Sequence, residues 1–184
     1  MTENFLFLFL FLFWYFCIME PNLPQLKILA KGAASANKKL LHNLKKYKAK
    51  EIDDVFQQNH EIVFKKIDCL DCANCCKTIS PIVTDNDINR IAKHLKIKPS
   101  HFTEKYLHLD HENDWVFNHT PCPFLNSENY CDIYDVRPKA CAEYPHTDRK
   151  KIEQLFELTL KNTEVCPAVF LILEKIKEKY NFKH

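Results

Sequence analysis

Beyond residue 22 the apolar positions of the chain recur mostly at helical spacing. From Leu23 to Tyr47, Leu26, Leu29, Ala33, Ala36, Leu40, Leu44 and Tyr47 fall three and four apart, which predicts one stripe of an amphipathic helix. Ile52, Val55, Phe56, Asn59 and Val63 repeat the pattern, so the two segments are expected to pack as a helical hairpin. Thr84, followed by Asp85 and Asp87 and then Ile88, Ile91, Ala92 and Leu95, reads as an N-capped helix with acid in its first turn. Ser100 is expected to cap a short helix holding Phe102, Tyr106 and Leu107, Trp115 to Phe117 reads as a short strand, and Pro167 to Tyr180 fits a terminal helix. The fold class expected is mainly α.

The first residues break this pattern. Phe5 to Met19 is an uncharged run of fifteen residues, which as a helix reaches about 22 Å against a hydrocarbon core of roughly 30 Å. Glu3 is the one charged side chain before it, and no small-residue cleavage site follows, so the features of a secretory signal are missing. Two readings remain open: a weak anchor, or upstream DNA translated ahead of a true start at Met19. If the run inserted, the lysines after it would stay on the cytoplasmic side, so both readings place the chain in the cytoplasm. The expected division is 1–18 as this apolar segment, 19–66 as a basic helical region and 67–184 as a third unit.

Composition narrows the chemistry. There is a single glycine, Gly32, whereas phosphate-cradling loops need several to let the backbone approach and turn; dinucleotide and P-loop chemistry are excluded on that ground. Eight lysines lie between Lys27 and Lys50 with no acid between Pro21 and Lys50, while residues 51–184 carry 18 basic against 22 acidic side chains. The lysine stretch is a candidate surface for nucleic acid or anionic membrane, but it has no arginine and little aromatic interleaving, and a solvated helix face is the favoured reading. The protein partner is left open.

Eight of the nine cysteines fall between Cys69 and Cys166. Cys69, Cys72, Cys75 and Cys76 form a C-x2-C-x2-C-C run, whose spacing turns successive thiolates toward one centre as in iron-sulfur loops, and zinc sites also use C-x2-C pairs. Cys122, Cys131, Cys141 and Cys166 follow. Pro138 and Pro167 are expected to start helices, placing Cys141 in a first turn and Cys166 at an N-cap, where the helix dipole favours a thiolate. Cys75 and Cys76 are neighbours whose side chains are expected to diverge, leaving Cys76 to a second site or outside the ligand set. Eight thiolates suffice for two zinc sites, one four-iron cluster with four cysteines over, or two clusters. Disulfides conflict with the cytoplasmic reading, and a thiol-redox role lacks its βαβ context. His119 and His146 are further candidate ligands. An iron-sulfur cluster is preferred over zinc.

The ordered series C-x2-C-x2-C-C, Cys122-Pro-Phe-Leu, Cys131-Asp-Ile-Tyr-Asp-Val-Arg137-Pro138-x-x-Cys141-x-x-Tyr144-Pro145 and Cys166 resembles the YkgJ-type cysteine-cluster family, a zinc- or iron-chelating domain. The resemblance runs from Cys69 to Cys166, with Thr84 to Leu107 matching the family's helical insert. It implies a small domain of helices and loops organised around a cysteine-ligated metal site. Flagellin lysine methylases are similar in the cysteine run and use an iron-sulfur cluster with S-adenosylmethionine, but they are larger, and methyl transfer is not carried over. A basic residue often follows the family cysteine matching Cys141, where this chain has Ala142. Arg137 is expected either to hold a carboxylate or donate to cluster sulfurs, or to pair with Asp132 or Asp135. No catalytic constellation stands out. The function expected is metal binding, redox or accessory to a modification enzyme; the alternative is a zinc-stabilised module binding nucleic acid or a partner.

Overall fold

The computed structural model describes residues 23–180; the apolar run, Met19 and Cys17 lie outside the described residues. In chain order the elements are α1 (Leu23–Leu44), α2 (Ala49–Phe64), α3 (Cys69–Cys72), α4 (Asn74–Thr78), α5 (Asp85–His94), α6 (Pro99–Tyr106), β1 (Leu107–Leu109), β2 (Trp115–Phe117), α7 (Lys139–Glu143), α8 (Phe156–Asn162) and α9 (Pro167–Lys179). Turns of 3-10 helix occupy Tyr134–Val136 and Ile152–Leu155. The fold is mainly helical, and no described helix is long and apolar enough to cross a membrane.

Two apolar cores organise these elements. In the first, Leu40, Leu41 and Leu44 of α1 and Ile52, Val55, Phe56 and Val63 of α2 close over Val169, Ile172, Leu173 and Ile176 of α9. The first two helices follow one another across a short turn but make little direct contact, so the expected hairpin packing is replaced by α9, which packs along α2 and also touches α1. The buried face of α2 is the set its periodicity names, Ile52, Val55, Phe56, Asn59 and Val63. On α1 Leu26, Ala33, Leu40 and Leu44 of the expected stripe are buried, but Leu29 and, beyond the helix, Tyr47 are 39% and 45% exposed, and Ala30, Asn37 and Leu41 also lie inward. A polar residue inside the face hides it from a count of apolar positions.

Asn37 is 0% exposed, and neither its amide nitrogen nor its carbonyl oxygen has a hydrogen-bond partner. Burying an unpaired amide costs about 1–3 kcal/mol. Asn37→Leu, close in volume, is therefore expected to raise the urea midpoint with an unchanged slope, by about 1–2 kcal/mol of stability. A lower midpoint would mean that the amide is satisfied in solution.

The second core gathers Ile88, Ile91 and Ala92 of α5, Phe102 of α6, Leu107, Phe117, Phe124 and Ile133. The Phe124 ring lies 4.9 Å from Tyr106 and 5.7 Å from Phe117, centroid to centroid. β1 and β2 pair antiparallel, with Leu107 opposite Phe117 and Leu109 opposite Trp115. β1 was not expected, and Leu107 belongs to it rather than to a helix. Nor does Ser100 cap α6; Lys98 precedes it and Pro99 is its first residue, a position where the missing N–H costs nothing. With little glycine available, the chain turns through positive φ at Ala73, Lys96, Asn113, Asn129, His146 and Lys151.

Candidate metal centre

The cysteines are brought together at the seam between the cores. Asp68 starts α3 by accepting from the Leu70 N–H at 2.8 Å, which puts Cys69 and Cys72 three apart on one turn. Ala73 then takes a left-handed conformation, φ 46°, and its N–H closes on the Cys69 carbonyl at 2.8 Å. This single reversal separates α3 from α4, so Cys75 and Cys76 leave on a new turn. The amide of Asn74 donates to the Val165 carbonyl, and so fastens the run beside Cys166, the N-cap of α9. On the other side the Cys122 N–H donates to the Cys76 carbonyl at 2.7 Å. A bridge between Leu125 and Cys131 returns the chain toward Cys122.

Cys141 sits in α7, which hangs on α5. Asp87 closes a capping box with Thr84 and also accepts from the Lys139 N–H at 3.1 Å. Arg90 pairs with Asp87 and donates to the Arg137 carbonyl at 2.8 Å. Arg137 does not pair with Asp132 or Asp135: its guanidinium lies 3.8 Å from the centroid of the Tyr134 ring and donates to the Tyr134 carbonyl at 2.6 Å.

All eight cysteines of the cluster are free thiols. Cys69, Cys75, Cys76, Cys122, Cys131 and Cys141 border a cleft of ≈ 610 Å³, whose wall also includes Tyr134 and Arg137. Cys69, Cys72, Cys75 and Cys166 border an adjoining, smaller cavity of ≈ 30 Å³, together with Val165 and with Tyr144, which the cleft shares. Among the described residues no three cysteine, histidine or carboxylate side chains are already drawn to the spacing of a bound ion, so binding requires the thiols ringing each space to turn inward. The Sγ atoms of Cys75 and Cys76 are 4.0 Å apart, closer than their expected divergence.

Burial dominates the thiol chemistry. It pushes Cys166 up to about 12, outweighing the Val169 and Ala168 N–H groups that favour its thiolate. Cys141 is pushed to about 12 and Cys122 to about 11, again chiefly by burial. The helix-dipole preparation expected at Cys141 and Cys166 is thus overridden by desolvation. Cys76 differs. The hydrogen bond from Cys75 lowers it to about 7, while the Cys75 proton is held more tightly by the same bond. Thiols this costly to ionise lose their protons when a cation supplies the compensating charge. A soft, thiolate-binding metal suits this donor set.

A role for Tyr144 escaped the sequence reading, and the two candidate histidines part company. The Tyr144 hydroxyl is buried without a hydrogen-bond partner, and Cys166, Cys75, Cys72 and Cys69 are the thiols whose charges act on it. Tyr144-Pro145 stood inside the family resemblance, but nothing in its spacing announced a role. His146 lines the large cleft with a buried, unpartnered Nδ1, whereas His119 is not part of either wall and its Nδ1 lies 3.0 Å from the Pro121 carbonyl. The eight lysines from Lys27 to Lys50 are exposed and none borders the cleft.

No curated protein and no solved structure matches the chain. A family model does, over residues 68–167, a stretch that takes in all eight clustered cysteines and the elements that carry them. The chain belongs to the CxxCxxCC family, described as "Putative zinc- or iron-chelating domain".

Proposed function

We propose that the chain carries an iron-sulfur cluster in the large cleft and works in the cytoplasm as a redox protein or as an accessory to a modification enzyme. The observation that carries this reading is the size and lining of that cleft, ≈ 610 Å³ bordered by six cysteines. One ion needs far less room, while a cluster held by four thiolates leaves space at its exposed side for a partner or a small molecule. Arg137 favours the thiolate forms of Cys131 and Cys141, and a fixed cation beside ligand sulfurs raises the reduction potential of such a group. When bound, the cluster would supply one-electron chemistry; the protein holds it, limits water on the core side and offers the open side of the cleft.

The test is the composition and visible spectrum of protein purified without oxygen. Iron, acid-labile sulfide and broad brown absorbance that bleaches on reduction are expected. A colourless protein holding only zinc would overturn the cluster. That result would favour a zinc-stabilised binding module, whose exposed lysine face on α1 predicts affinity for duplex DNA that falls steeply with salt.

A further inference from the structure

We infer that the eight cysteines form two separate four-thiol centres, Cys69, Cys72, Cys75 and Cys166 around the small cavity and Cys76, Cys122, Cys131 and Cys141 in the cleft. The inference rests on the metal-binding reading and deepens it. Cys72 and Cys166 border only the small cavity, and Cys76, Cys122, Cys131 and Cys141 border only the cleft. Cys69 and Cys75 border both, and they complete a set of four around the small cavity, where Cys72 and Cys166 alone supply two.

The backbone supports the same division. Asn74, between Cys72 and Cys75, is tied to Val165 and holds this part of the run beside the α9 N-terminus. Cys76 is joined through its carbonyl to Cys122. The doubled cysteine that ends the run is therefore the branch point, with Cys75 serving one centre and Cys76 the other.

The two spaces also differ in what they admit. The small space offers ≈ 30 Å³ against ≈ 610 Å³ in the cleft, and its wall includes Phe64, Ile67, Val165 and Ala168. A space of that size admits a single ion held by four thiolates, the form of a structural zinc site, rather than a cluster. Tyr144, which borders both spaces, brings an orphaned buried hydroxyl, and a thiolate–metal group is the acceptor it lacks.

The experiment compares metal content and visible absorbance of the purified holoprotein with Cys72→Ala/Cys166→Ala and Cys131→Ala/Cys141→Ala variants. Each double variant is expected to lose one centre and keep the other: the first loses the zinc-like ion and stays coloured, the second loses colour and keeps the ion. If either variant loses all metal while its helical circular dichroism is unchanged, or if either keeps the full content, the division is wrong. Where a variant does not fold, the wild-type holoprotein answers instead. During slow chelation its thiols should become reactive to alkylation in two sets, as mass spectrometry of the labelled peptides would show; a single mixed set overturns the division. Wild-type protein without any bound metal would sink the metal reading itself. Zinc in both centres would end the cluster assignment and leave the division standing.

Discussion

Asp87→Ala is expected to cost about 3 kcal/mol or more of folding stability, because the carboxylate it removes is buried and holds four donors. Asp87 is 1% exposed. It accepts from the Thr84 N–H at 3.0 Å and hydroxyl at 2.7 Å, from the Lys139 N–H at 3.1 Å, and from Arg90. Burial opposes its ionisation, but the bonds from Thr84, Arg90 and Lys139 prevail and hold the carboxyl below its usual pKa. A depressed folded-state value means that this stabilisation is fully present above the unfolded carboxyl's pKa, about 3.9. It is lost as pH falls through the folded value. Urea unfolding of the variant and wild type at neutral pH should differ by the full amount, and the gap should shrink below about pH 4. A gap that stays constant down to pH 2 would show that the charge is not what matters. Because Lys139 hangs on this group directly and Arg137 through Arg90, the variant should also weaken metal retention at Cys141, a result that loss of a helix cap alone would not give.

The parts of this molecule that were legible in the sequence are those decided locally. The α5 helix follows from Thr84 and Asp87, since a capping box needs only residues three apart. The inward face of α2 follows from its period because every buried position but Asn59 is apolar. The α1 face was placed in part: Leu26, Ala33, Leu40 and Leu44 lie inward as their spacing requires, but Asn37 lies inward too, and the inward position of a polar residue depends on what packs over it. At Cys141 and Cys166 the sequence shows a helix start but not its depth, and depth reversed the expected thiolate preference. The grouping of the thiols was equally hidden. Spacing announces that Cys69, Cys72, Cys75 and Cys76 turn together, but which of them meets Cys166 depends on the left-handed Ala73 and on the bond from Asn74 to Val165, two residues with no metal chemistry of their own.

Removing metal is expected to unfasten the cysteine-bearing segments while the helical core survives. The ligand elements are short: α3 has four residues and α7 five, and neither buries a residue in the core. Helices of this length do not persist in water without tertiary support. By contrast α2 buries Ile52, Val55, Phe56 and Val63 against α9, which needs no ligand. A metal held at a thousandfold over its dissociation constant contributes about 4 kcal/mol, and here that contribution falls on the segments that have least else. Hydrogen exchange followed by mass spectrometry, before and after chelation under reducing conditions, should show protection lost at residues 68–79 and 122–145 and kept in α2 and in the middle of α9. Uniform loss would mean that the two cores fold only around the metal, as in a zinc finger. Unchanged exchange everywhere would mean that the thiols do not carry metal that matters to the fold. The pattern should also depend on pH, because buried thiols pushed to about 11 and 12 at Cys122 and Cys141 must give up protons to bind. Acid therefore favours release, and the segments should loosen at lower chelator concentration as the pH is lowered.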